Sequence, residues 1–185
     1  MSRMKDLLAS KLPAGLTIPE PLDRAWTWME EQGWGRGEGE DYYLTPYAGD
    51  RQMGIVFSTD RTLEGWFEPD QPGYDRLMPL AEISGDGGIG LLWLADNGEV
   101  AFAGLGMFGP FLLASDAVDF LRLIAIGKQE LISMLLETEA EYEEAAAHAE
   151  FRAWVTSEFG VEVPASWTPV TNPDPFRAWV ERVQS

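Results

Sequence analysis

The chain has 185 residues, enough for one domain that buries roughly two-thirds of its unfolded surface. Its 45% hydrophobic content, with eight Trp, nine Phe and five Tyr, excludes a disordered polymer. Thirty-one Asp and Glu against thirteen Lys and Arg leave a net charge of −18, which repels nucleic acid and anionic membrane and would draw in a basic protein. With no cysteine there is no disulfide, thiol catalysis or Cys-ligated zinc, which fits a reducing compartment, and with His148 as the one histidine there is no His-pair metal site.

In chain order, residues 3–11 are expected to form a short helix stopped by Pro13. Its Arg3, Lys5 and Lys11 imitate a targeting helix, but Lys11 interrupts the apolar run and no cleavage site follows. Nothing approaches the ~18 apolar residues of a membrane span, so the cytoplasm is the expected location. A second helix begins at Pro19-Glu20-Pro21, with Leu22, Ala25, Trp26 and Met29 on one face and Gly33 as its C-cap. Residues 35–41 are Gly and acid, hence a loop. Strand composition begins at Tyr42-Tyr43-Leu44, and Met53, Ile55 and Phe57 alternate as a half-buried strand should. Gly65 to Phe67 reads as another short strand, and Leu77 to Ile83 leads into the turn Ser84-Gly85-Asp86-Gly87-Gly88. Ile89 to Ala95 and Glu99 to Leu105 then pair through Asp96-Asn97-Gly98, for which Asn-Gly predicts a type I′ turn. After Gly106, Gly109 and Pro110, the run Phe111 to Ala114 enters a helix from Ser115 to Ile126 that is apolar nearly all round and therefore buried. Ser115 is its expected N-cap and Gly127 its end.

The next helix is expected over about 128–148, with Leu131, Met134, Leu135, Thr138 and Tyr142 on one side and Glu137, Glu141 and Glu144 as a stripe beside Glu139 and Glu143. Like charges at i, i+4 repel, so local helix stability does not explain them. Phe151-Arg152-Ala153-Trp154-Val155 recurs as Phe176-Arg177-Ala178-Trp179-Val180, each copy starting a short amphipathic helix. Two copies do not make a solenoid. Both helices are expected to dock Phe and Trp into the core, the alternative being that one aromatic face meets a partner. Strands in the middle and helices at the ends give an α+β fold: a bent, mostly antiparallel sheet with helices from both termini packed on it. The expected organisation is a single domain over 1–185, its core at about 15–127 and a C-terminal helical extension at about 128–185.

The Ser84 to Gly88 turn, the strand to Leu94, the Asp96-Asn97-Gly98-Glu99-Val100 hairpin and Leu113-Ala114-Ser115-Asp116-Ala117-Val118-Asp119-Phe120-Leu121 resemble the SUKH superfamily. That superfamily includes a fungal cell-wall-assembly regulator and bacterial toxin-immunity proteins. Gln32-Gly33 stands where the family usually has Asn-Gly. The resemblance implies a protein that works by binding and offers no catalytic set.

The residues themselves agree with a non-catalytic reading. The Gly85–Gly88 turn lacks the Lys and Ser/Thr of a P-loop and is expected to be a plain turn; no calcium-loop pattern is present. His148 is expected as an exposed imidazole at a helix end. Glu38, Glu40 and Asp41, or Glu99 and Asp116, could pair as general acid and base, but among 31 acids such pairs arise by chance. No catalytic residue, metal or cofactor is assigned. The expected partner is a protein, most readily a basic toxin domain met by Glu137, Glu139, Glu141, Glu143 and Glu144, with Trp34, Tyr42, Tyr43 and Trp66 as aromatic contacts beside Tyr47 and Phe67. A regulatory scaffold binding a house-keeping protein and a carboxylate-pair enzyme remain the alternatives.

Overall fold

The computed structural model describes residues 1–49, 53–168 and 172–185. Its centre is one antiparallel meander, in which each strand pairs with the next in sequence: β1 (Gly35–Arg36), β2 (Tyr43–Leu44), β3 (Val56–Ser58), β4 (Leu77–Glu82), β5 (Ile89–Leu94), β6 (Val100–Gly106) and β7 (Gly109–Ala114). Helices α1 (Arg3–Ala9) and α2 (Glu20–Glu31) precede it; α3 (Ala117–Ile126), α4 (Tyr142–Ala147), α5 (Ala149–Phe159) and α6 (Pro175–Gln184) come after. The fold is α+β.

Side chains alternate across a strand, so a sheet covered on both faces is apolar at nearly every position. This explains the runs in β5 and β6. Met78, Leu80, Leu92, Phe102 and Leu113 point to an inner face, where they pack with α1, α2, α3 and α5. Phe102 stacks on Phe120 of α3 at 4.2 Å, and Trp26 of α2 meets Phe57 edge-on at 5.4 Å. Leu77, Leu91, Trp93, Ala103, Leu105 and Leu112 point the other way, into a second core closed by α6 with Leu63 and Phe67.

The repeated pentapeptide therefore serves both faces. Phe151 and Val155 of α5 enter the inner core, whereas Phe176, Trp179 and Val180 of α6 enter the outer one. Spacing of three and four residues puts these side chains on one side of each helix. The arginine does the same work in each copy. Arg152 Nε donates to the Ala125 carbonyl at 3.1 Å and its Nη2 to Ala145 at 2.9 Å, while Arg177 Nε donates to Pro110 at 3.0 Å and its Nη2 to Phe108 at 2.7 Å. Each guanidinium thus ties its helix to carbonyls at the end of a neighbouring element.

The outer edge of β7 is closed by side chains. Pro110 has no N–H, the Leu112 N–H donates to Asp174 Oδ2 at 2.8 Å, and the Leu113 carbonyl accepts from Trp167 Nε1 at 2.8 Å. Asp174 Oδ1 also accepts from the N–H groups of Phe176 and Arg177, which makes it the N-cap of α6.

Several elements differ from the sequence expectation. Residues 35–36 pair as β1 inside the expected loop, and Gly65–Phe67 is a turn, with both Trp66 and Phe67 N–H groups donating to Leu63 O. The β5–β6 connection is not type I′: only Gly98 has positive φ, at 83°, and Gly98 N–H donates to Ala95 O while Ala95 N–H donates to Glu99 O. That is a three-residue loop built on a type I turn. Asp116, not Ser115, caps α3, accepting from Asp119 N–H at 2.9 Å. The helix expected over 128–148 is absent as such: the chain makes one 3-10 turn at Ser133–Leu135 and becomes α-helical only at Tyr142. Met4 and Leu8 before residue 15, and Leu131, Leu136 and Trp167 after 127, belong to the inner core.

Candidate functional site

Gly127 ends α3 with φ of 83°, and a Cβ there would sit 2.9 Å from Glu144 O, so only glycine lets α4 approach this closely. The chain then runs irregularly to Glu141. Leu131 N–H donates to Ile83 O at 2.8 Å, and Leu136 O accepts from Trp167 N–H at 2.8 Å; both leucine side chains are buried. Residues five apart point about 140° from each other on a helix, so burying both leucines in one core breaks the helix. The turn between them pushes Met134, which is 67% exposed, and Leu135 outward. Lys128 is buried, and its ammonium donates to the Thr138 carbonyl and, at 3.0 Å, to the Thr138 hydroxyl, which in turn donates to Leu135 O at 2.7 Å. Burial pulls the Lys128 pKa down.

This bracing leaves Glu137, Glu139 and Glu141 exposed on the irregular segment and Glu143 exposed in the first turn of α4. Glu144 is half-buried, and Tyr142 between them is 87% exposed. The carboxylates form no helical stripe, and of the five only Glu139 and Glu141 come together, lining one hollow of about 180 Å3 with Leu135, Lys128 and Glu130.

The expected aromatic contacts separate. Trp34 and Tyr42 are buried in the inner core, where Tyr42 OH donates to Glu30 Oε1 at 3.0 Å and burial raises its pKa. Burial removes both from the surface. Tyr47 and Phe67 are also buried. Tyr43 and Trp66 are half-buried, in different places. Trp66 packs on the outer core, whereas Tyr43 lines a hollow of about 170 Å3 with Asp41, Ser58, Asp60, Arg61 and Glu82. There Arg61 grips Asp60 through Nε and Nη2 at 3.0 and 3.1 Å and reaches Glu82 Oε2 with Nη1 at 3.1 Å. The guanidinium and the Ser58 hydroxyl hold the Asp60 carboxyl below its usual pKa, the opposite of what a general acid needs. Glu99 accepts from Asn97 Nδ2 at 3.0 Å within its own turn, and Asp116 caps α3. In the Ser84–Gly88 turn, Gly85 N–H donates to Glu130 Oε1 and Gly88 N–H to Ser84 Oγ, so these amides are occupied from within. Among the described residues, no group of three Asp, Glu or His side chains converges as a metal would require, and no helix is long and apolar enough to cross a membrane.

His148 is the largest departure from expectation. It is 1% exposed, lies edge-on to Tyr47 at 5.1 Å, and places Nδ1 2.8 Å from Glu144 O. Burial lowers its pKa, with Arg152 adding to the effect, while the carbonyl of Glu144 and its carboxylate oppose it. The neutral imidazole is thus the folded form, and the stability it carries is present above its unfolded pKa of about 6.5 and lost as pH falls below that. Urea unfolding at pH 7.5 and 5.5 should show a larger loss on acidification for the wild type than for His148→Asn, which keeps a donor near Glu144 O without titrating. Equal losses would mean that His148 does not titrate in this range.

Met107, Phe108, Met134, Leu135 and Tyr142 are exposed apolar residues that the sequence reading did not assign to a surface. The available signal was Met107-Phe108 set between Gly106 and Gly109, since apolar residues in a turn have no core to enter. The chain matches no protein-family model, no curated protein and no solved structure.

Proposed function

We propose that the protein is a non-catalytic binding module whose partner is a basic protein, most specifically a toxin domain that it neutralises in the cytoplasm. The observation that carries this reading is the segment from Met134 to Glu143, in which the exposed Met134, Leu135 and Tyr142 stand beside the exposed carboxylates of Glu137, Glu139, Glu141 and Glu143. Apolar and aromatic groups supply affinity when a partner covers them, and surrounding like charges speed the encounter with an opposite surface. The net charge of −18 extends that field beyond the segment. The resemblance of residues 84–121 to the SUKH superfamily supports the same assignment. The commitment of Asp60 and Glu82 to Arg61 favours binding over carboxylate-pair chemistry.

The test is capture of partners by the tagged protein from its own host at low and high salt, followed by expression of the captured domain in cells with and without the protein. The expected result is one basic domain, released by salt, whose toxicity the protein relieves. Replacing Glu137, Glu139, Glu141 and Glu143 by Gln should leave thermal unfolding within about 0.5 kcal/mol and slow association about tenfold or more at low salt. Unchanged association would remove the acidic surface from the mechanism; a captured domain that stays toxic would remove neutralisation.

A further inference from the structure

Every residue of α4 is half-buried or exposed. Helices in proteins are normally held by a buried face, so this one is held in another way. Among the described residues, two side chains at its C-terminal end do so. Arg152 of α5 donates through Nη2 to the Ala145 carbonyl at 2.9 Å, and His148, the residue that caps α4, is 1% exposed in a slot kept open by two glycines. A Cβ on Gly54 would lie 2.8 Å from the Lys128 carbonyl and 3.6 Å from His148 Nε2; one on Gly127 would lie 2.9 Å from the Glu144 carbonyl and 3.1 Å from His148 Cβ. The Glu144 carbonyl can only accept, so Nδ1 carries the proton of the neutral ring and Nε2 is bare. A second proton would arrive at Nε2, beside Gly54, in a ring already shut off from water.

The groups around the slot do not suit that charge, and a buried charge is costly unless it is paired. Tyr47, from the β2–β3 connection, meets the ring edge-on, and its hydroxyl accepts from Met53 N–H at 2.8 Å. Lys128, from the segment after α3, spends its ammonium on Thr138. The Arg152 guanidinium of α5 repels an imidazolium, and the Glu144 carboxylate of α4 attracts one. Glu144 Oε2 is itself buried without a partner among the described residues, a cost that hydration relieves once α4 lifts away. From this seat we infer that His148 is a pH-released latch: its protonation undocks α4, carrying Tyr142 and Glu143 off their fixed place, while Phe151 and Val155 keep α5 in the inner core. Outside the slot the imidazolium is flanked in sequence by Glu141, Glu143, Glu144 and Glu150, whose charges favour it. Burial favours the neutral ring when docked, and water restores the ordinary value of about 6.5 when undocked, so docking is at full strength above that pH and weakens below it. Undocking needs no partner; only its consequence, a changed surface for the partner to meet, rests on the binding function proposed above.

The test follows hydrogen exchange of the intact protein from pH 7.5 to 5, corrected for the pH dependence of chemical exchange, beside NMR of its single imidazole. The reporting amides are those of Ala145 and His148, which donate to the Glu141 and Glu144 carbonyls. The expected result is that protection over 142–148 falls as the imidazole titrates, by up to about tenfold for each pH unit below about 6.5, the limit for one linked proton. Over the same range β4 to β6 should lose less than about twofold, as in local opening, and His148→Asn should show no acid-dependent loss over 142–148. An imidazole that titrates without loss of protection there, or that stays neutral to pH 5, overturns the latch. So does a loss shared equally by β4 to β6, or the same loss in His148→Asn. Those results would leave partner capture at pH 7.5 untouched, whereas failed capture with α4 opening as expected would remove the binding function and keep the latch.

Discussion

Trp179→Ala is expected to destabilise the protein by about 3–5 kcal/mol, the range for deleting a large aromatic from a packed core. Trp179 is 1% exposed and is ringed by Trp93 at 5.5 Å, Phe176 at 5.9 Å and Phe67 at 6.2 Å, with the Arg76 guanidinium 5.5 Å above its ring. Gly73 backs it so closely that a Cβ there would fall 2.8 Å from the indole. Removing the ring would leave a cavity between rigid neighbours on the sheet and on α6. Trp154 occupies the same place in the other copy of the pentapeptide, yet it is half-buried and stacks on Trp28 at 5.3 Å near the surface. Trp154→Ala should therefore cost only about 1–2 kcal/mol. Trp179→Phe adds a finer contrast. The indole N–H of Trp179 is buried with no partner, and an unpaired buried donor costs about 1–3 kcal/mol. Phe loses volume and removes that donor, so the net change should be about 1.5 kcal/mol or less. Chemical denaturation of the three variants checks the order. Equal costs for the two alanine variants would mean that the outer core is no tighter than the surface stack.

The second large effect is expected at Asp174. Asp174→Ala removes an N-cap worth about 1 kcal/mol and orphans the Leu112 N–H at a cost of about 1–3 kcal/mol, a loss of about 2–4 kcal/mol in all. Asp174→Asn keeps an acceptor for the cap and should lose about half as much. The alanine variant has a further signature. Its β7 edge regains a free donor beside an apolar strand, so concentration-dependent association should appear in sedimentation, as it does for unprotected edges. A stable, monomeric Asp174→Ala would show that the edge needs no such guard.

The elements that were legible in the sequence were those whose pattern local physics decides. Prolines at the start of α2, the apolar run Ile89 to Ala95 closed by the Asp96-Asn97-Gly98 turn, and the unbroken apolar surface of α3 each point to one structure. What was missed depended on residues far apart in the chain. The segment after Gly127 has helical spacing and Glu-rich composition, but the inward pull on both Leu131 and Leu136, through Ile83 and Trp167, overrides it. The alanine neighbours of His148 predict an exposed imidazole; Tyr47 and Gly54, about a hundred residues earlier, bury it. The Phe-Arg-Ala-Trp-Val echo predicted two docking helices, yet a five-residue motif carries no information about which side of the sheet each will choose. Glu137, Glu139, Glu141 and Glu143 stay outside, as charge alone favours, whereas Glu144 is half-buried, and the proximity of the exposed four in the chain to the outward-turned Met134 and Leu135 is a product of the broken helix.

The closing bonds on β7 reach Leu113 from 54 residues downstream and Leu112 from 62. A ribosome therefore releases the whole meander well before it delivers the residues that cover it. During that interval Trp93 and Leu112 have no helix over them, and the last strand can template pairing with another nascent chain. Translation speed through the 115–185 region thus becomes a determinant of yield, and a chaperone that shields open sheets would find its substrate in this half-made molecule.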